Sequence, residues 1–137
     1  MSAVNSSWVD KAYEGKSAAE IADSPIDALQ GVSAGDGEKL QKAFGVKTVR
    51  GLARLAFVRW AQEIAAGGTA TVNKDHVDKA HEGKSNADVA AATVDALQGV
   101  SAGDAALLKS SFGIDTVADL AGSKYVKWAQ EIVKAAG

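Results

Sequence analysis

Cysteine is absent from the 137 residues, which excludes disulfides, thiolate metal sites and a cysteine nucleophile together. Histidine occurs twice and aromatic residues make up 6%. The formal net charge is −2, so the chain lacks the excess of positive charge that coats nucleic acid non-specifically. It has no run of about 18 apolar residues of the kind that spans a membrane. The opening MSAVNSSW has neither the basic nor the apolar region of a secretory signal. These absences lead to the expectation of a cytoplasmic protein. Hydrophobic residues make up 47%, enough to build a packed core and to argue against global disorder.

The chain repeats itself. Displaced by 68 residues, 4–69 aligns with 72–137 without a gap, and 35 of the 66 positions are identical. DALQGVSAGD occurs unchanged at Asp27–Asp36 and Asp95–Asp104; VDKA, EGKS and WAQEI also recur. A match of this length indicates tandem duplication. The join AAGGTATVN, 65–73, reads as a helix stop and short linker at Gly67 and Gly68. Two copies are too few for an open solenoid. The expectation is therefore a pseudo-two-fold pair, 1–68 and 69–137, folded as two domains or as one compact domain.

Helix punctuation recurs in both copies. Ser7 with Asp10, Ser17 with Glu20, Ser33 with Asp36 and Thr116 with Asp119 fit the pattern of a capping oxygen and an acid three residues later. Gly15, Gly31 and Gly45, with Gly83, Gly99 and Gly113, read as stops, and Pro25 as a first-turn residue. About five short helices per repeat follow, near 8–14, 18–23, 25–30, 34–44 and 49–66, with no sustained strand alternation. The fold class is all-α. In the second copy Gly122 and Ser123 interrupt the last helix; in the first, Arg54 and Leu55 stand there, so the helix is expected to run on from Val49. Trp60, Ala61 and Ile64 then continue the apolar stripe of Leu52 and Ala53.

The stretches LQGVSAGDGEKLQKAFGVKTVRGL, 29–52, and LQGVSAGDAALLKSSFGIDTVADL, 97–120, resemble the helix-hairpin-helix motif, L-P-G-I-G-x-x-x-A-x-x-L with a G-I-x-T-x-x-D-L tail. The resemblance covers about a third of the chain. It implies a helical hairpin and, in many members, backbone binding of DNA phosphates. The motif's first glycine is present as Gly31 and Gly99. Its second is replaced by Ser33 and Ser101, and the neighbouring basic residue by Gly35 and Gly103. Asp36 and Asp104 add negative charge where a phosphate would sit. The phosphate role is therefore not expected here.

The copies differ most in charge. Lys39, Lys42, Lys47, Arg50, Arg54 and Arg59 run without an intervening acid between Glu38 and Glu63, whereas the matching stretch of the second copy is near neutral. Such a face suits an acidic protein surface or nucleic acid, though no aromatic interleaves with it in a stacking pattern. Leu55 and Phe57 extend it as candidate contacts. Trp60 and Trp128, at equivalent positions, read first as core and second as the lining of a ligand pocket between repeats. His76 and His81 stand about 140° apart around a helix and do not converge as a metal pair would. No histidine is duplicated, so a histidine-based catalytic constellation cannot be assembled twice; an Asp/Glu acid–base pair stays open. The sequence points to a non-enzymatic binding or scaffolding protein without a cofactor, with a protein as partner. The alternatives are DNA or RNA binding through the hairpins and basic face, and small-ligand binding between the repeats.

Overall fold

The computed structural model describes residues 4–137, and every regular element among them is helical. The α-helices are α1 (Ala18–Ala22), α2 (Ala34–Phe44), α3 (Val49–Ala53), α4 (Ala56–Ala66), α5 (Asn86–Ala90), α6 (Ala102–Phe112), α7 (Val117–Ala121) and α8 (Lys124–Ala136). The first four recur 68 residues later as the last four. Short 3₁₀ turns at Ser6–Trp8, Lys11–Tyr13 and Ile26–Ala28 recur in the same way at Lys74–His76, Lys79–His81 and Val94–Ala96.

Local chemistry explains most boundaries. Ser17 Oγ accepts from the Glu20 N–H at 3.1 Å while the Glu20 carboxylate accepts from the Ser17 N–H, closing a capping box at α1. Thr116 and Asp119 do the same at α7. Ser33 and Ser101 cap α2 and α6 by accepting from the N–H of Asp36 and Asp104. Each cap satisfies an amide that the first helical turn leaves unpaired. At the other ends, Gly45 and Gly113 adopt left-handed φ of 70° and 67°, a conformation that costs any residue with a Cβ. At the first 3₁₀ turn the cap is Asn5, whose side chain accepts from Ser7 N–H, and the expected Ser7 cap is not formed.

Two expected helices are 3₁₀ turns instead. The segments 8–14 and 25–30 are drawn into backbone pairing that competes with helix propagation. Val9 bridges Leu29 and Pro25 bridges Thr48. The Asp10 N–H donates to Ala28 O at 2.7 Å, and the Gln30 N–H to Trp8 O at 2.8 Å. The second copy forms the corresponding bridges, Val77 to Leu97 and Thr93 to Thr116. DALQGVSAGD thus contributes main-chain pairing as well as a cap.

The expected continuous helix over 49–66 is also broken, between Ala53 and Ala56. Val49, Leu52 and Ala53 are buried on α3, and Val58, Ala61 and Ile64 on α4. Nine residues along a straight helix amount to two and a half turns, so an unbroken helix would set Val58 opposite Val49. The break lets both faces be buried, and they are buried in different places.

The chain forms two compact units, 4–55 with 124–137 and 56–123. These are not the sequence repeats 1–68 and 69–137. In the first unit α8 packs on α1 and α3; in the second, α4 packs on α5 and α7. Each repeat's last helix therefore completes the core of the other repeat. Val126, Ala129 and Ile132 join Ile21, Leu29 and Val49 in the first core, and Val58, Ala61 and Ile64 join Val89, Leu97 and Val117 in the second. The join at 67–72 belongs to the second unit: Ala87 N–H donates to Gly68 O, Val72 N–H to Lys84 O, and Asn86 Nδ2 to Ala70 O.

Ile132→Ala tests the exchange. Emptying this fully buried site costs about 2–5 kcal/mol, and hydrogen exchange should show the weakened protection within 4–55, with 69–121 spared. The capping box gives a pH dependence. Backbone N–H donors from Thr116 and Asp115 hold the Asp119 carboxyl below its ordinary value. A lowered value means the stabilisation is present above the unfolded-state titration and is lost as pH falls through the folded one. Asp119→Asn should lower the denaturation midpoint at neutral pH, and the difference from wild type should vanish in strong acid.

Candidate functional site

The six cations of the basic run do not share one unit. Lys39 and Lys42 lie three residues apart on α2, which places them on neighbouring positions of one helix face. Lys47 follows the Gly45 cap, Arg50 lies on α3 and Arg54 caps its end. These five, with half-buried Leu55, belong to the first unit, whereas Phe57 and Arg59 lie on α4 in the second.

Their surroundings separate them further. Arg50 Nε donates to Asp23 Oδ1 at 2.9 Å, tying α3 to the end of α1. Neither partner is buried, so the pair adds about 0–1 kcal/mol, but it engages Arg50 structurally. Both members are replaced by alanine in the second copy, at Ala91 and Ala118. Lys39, Lys42, Lys47 and Arg54 are exposed, and among the described residues no carboxylate lies within ion-pairing distance of them. Their counterparts are Leu107, Ser110, Asp115 and Gly122, so the fold forms without cations there. The first unit carries ten Lys and Arg against eight Asp and Glu, net +2; the second carries five against nine, net −4.

Trp60 and Trp128 are likewise in different units. Trp60 stacks on His76 with centroids 4.7 Å apart and planes 15° apart, and meets Phe57 edge-on at 5.5 Å. Glu63, one turn along α4, places Oε2 3.5 Å from His76 Nδ1. Trp128 meets Tyr125 edge-on at 5.7 Å, with the Lys124 ammonium 5.6 Å from the indole. His81 is held separately by Asp78, Nδ1 to Oδ1 at 2.6 Å. Each tryptophan is thus a packing element of the helix that crosses to the other repeat.

Gly31 and Gly99 take part in the same packing. Their φ values are 89° and 90°. A Cβ placed on Gly31 would lie 3.2 Å from Tyr125 Oη, and one on Gly99 would lie 3.6 Å from the Phe57 ring. Tyr125 and Phe57 therefore stand against the backbone that the helix-hairpin-helix resemblance assigns to phosphate. The Asp36 and Asp104 amides are already taken by Ser33 and Ser101.

A shallow cleft of about 210 Å³, which no sequence motif indicates, opens where the 3₁₀ turn Ile26–Ala28 faces the first turns of α2. Asp27, Glu38, Gln41 and Lys47 rim it. A cleft of about 200 Å³ lies at the equivalent place in the second copy, rimmed by Thr93, Asp95, Lys109 and Asp115. There Lys109 Nζ approaches Asp115 Oδ1 at 4.0 Å. Both clefts are lined by the Asp that opens DALQGVSAGD, Asp27 or Asp95, and by the alanine after its serine, Ala34 or Ala102.

Gly31→Ala and Gly99→Ala should each destabilise the protein by about 1–2 kcal/mol through the left-handed backbone, the former more because of the Tyr125 hydroxyl. In a Tyr125→Phe background the two denaturant midpoint shifts should converge. Comparison with protein-family models, with curated proteins and with solved structures gave no match, so a functional reading of this chain rests on its own residues.

Proposed function

We propose that this is a non-catalytic binding protein whose partner is another protein with an acidic surface, engaged through Lys39, Lys42, Lys47 and Arg54. The duplicated fold acts as an internal control, and this carries the reading. The second unit builds the same helices without these cations, so folding does not account for them. Their exposure and their lack of carboxylate partners leave the charge available to an incoming surface. Electrostatic complementarity of this kind chiefly speeds encounter and selects the partner. Leu55 is half-buried, and Phe57 and Arg59 belong to the other unit, so the reading rests on the four cations of the first unit. The helix-hairpin-helix likeness enters as an architecture, a capped turn carrying helix α2, without its phosphate role.

Nucleic-acid binding is the second reading, favoured by the same four cations. The aromatic groups against Gly31 and Gly99 weigh against a route through the hairpin backbone, so binding here would be side-chain mediated and insensitive to sequence.

Charge reversal separates the readings. Lys39→Glu, Lys42→Glu, Lys47→Glu and Arg54→Glu, combined in the full chain, should slow association with the captured protein at least about tenfold and remove its salt dependence. Arg50→Ala should change little. Undiminished association by the reversed variant would eliminate this surface. For nucleic acid, duplex DNA should be retarded at about 50 mM salt. Its log–log salt slope should be near −3.6, about −0.9 for each of four phosphates; unshifted DNA at micromolar protein sinks that reading.

A further inference from the structure

The surface formed by α1 and α3 is closed by α8, not by the helix that follows α3 in sequence. That surface therefore takes a helix that is remote in the chain and shares its apolar pattern with the one that follows α3. The pattern is explicit: α4 and α8 carry the same Val, Trp, Ala, Gln, Glu and Ile at Val58/Val126, Trp60/Trp128 and the WAQEI run ending at Ile64/Ile132. Both bury the Val, the Ala and the Ile. The residues buried on the acceptor side, Ile21 and Ala22 of α1 with Val49, Leu52 and Ala53 of α3, are apolar throughout, and Gly31 provides the bed for Tyr125.

The connection permits α8 to leave. The second unit is contiguous over 56–123, so its core keeps all of its own helices when α8 undocks. The join is Gly122–Ser123, held to α7 by main-chain bonds from Gly122 to Ala118 and from Ser123 to Leu120; a Cβ on Gly122 would meet only the Ala118 carbonyl, at 3.5 Å. On the first unit of a second molecule, α8 would find the same surface residue for residue. The packing that α8 gives up in its own molecule is then restored in full on the other, which is the condition under which helix exchange between protomers costs little.

We infer that this chain pairs with a second copy of itself by reciprocal exchange of α8, each α8 seated on α1 and α3 of the other molecule against its Gly31. The inference is independent of the cationic surface, which α8 exchange leaves unchanged. The tether supplies α8 to its own unit at an effective concentration in the millimolar range. Exchange is accordingly favoured when folding occurs at comparable chain concentration.

Complementation between two full-length variants tests this. Ile132→Asp spoils the donor helix and leaves the acceptor intact; Ile21→Asp spoils the acceptor and leaves α8 intact. Each alone should be a monomer with an opened first unit. Mixed in equal amounts they should form a 1:1 complex of twice the 14.0 kDa chain mass, and the first-unit amide protection of the Ile132→Asp chain should return. Adding Ile132→Asp to the Ile21→Asp chain should abolish the complex. A mixture that stays monomeric, or a complex that survives the added substitution, overturns the inference. Should either variant aggregate, wild-type chains carrying donor and acceptor dyes, unfolded together and refolded at about millimolar concentration, give the same decision. A dimer with energy transfer is expected, and monomer alone overturns it.

Discussion

Everything in this fold depends on one packing: an amphipathic helix with a Val, an Ala and an Ile on its buried side, laid across two helices of five residues and a left-handed glycine. Helices as short as α1 and α3 are far below the length at which an isolated helix holds together in water. Ile21, Val49 and Leu52 are buried only because a 13-residue helix covers them, as an 11-residue helix covers their counterparts. That α8 covers α1 and α3 while α4 covers α5 and α7 is permitted by the break at Arg54–Leu55. The break sets the apolar faces of α3 and α4 free of one another.

The duplication sorts residues by cause. Much of what both copies keep, the fold uses: the left-handed glycines, the serine caps, the bridges from Val9 and Val77, and the WAQEI helices. What one copy alone possesses needs another account. Arg50 and Asp23 account for each other, and His76, in place of Trp8, finds its partner in Trp60. Lys39, Lys42, Lys47 and Arg54 are left over. Gln30 and Gln98 resist this sorting from the other side, since both are kept and exposed while only their main chain is engaged.

Helix ends were legible because their causes are local. A cap, its acid three residues on and a glycine after the last turn lie within one short window, and Ser17, Ser33, Gly45 and Thr116 act as that window indicates. The 3₁₀ turns at 11–13 and 26–28 were not, because the bridges that displace helix there come from residues about twenty positions away. The helix exchange was hidden for a different reason. α4 and α8 present the same buried side chains, so the pattern that identifies a docking helix is silent on which copy receives it. The site was half legible: cationic character is a property of the residues, but the hold of Asp23 on Arg50 spans 27 positions. The division of the cations between units follows from the exchange.

The chain crosses between units at Leu55–Ala56 and again at Ser123–Lys124, and this imposes an order on assembly during synthesis. The unit 56–123 is contiguous and has all its helices once Ser123 has emerged. The unit begun by 4–55 has by then exposed α1 and α3 for the time taken to make 68 further residues. Closing it joins segments roughly a hundred positions apart, a loop whose ordering is slow to be repaid. Translation thus makes the first half of the protein wait for the last of these helices, with its apolar surface uncovered in the interval.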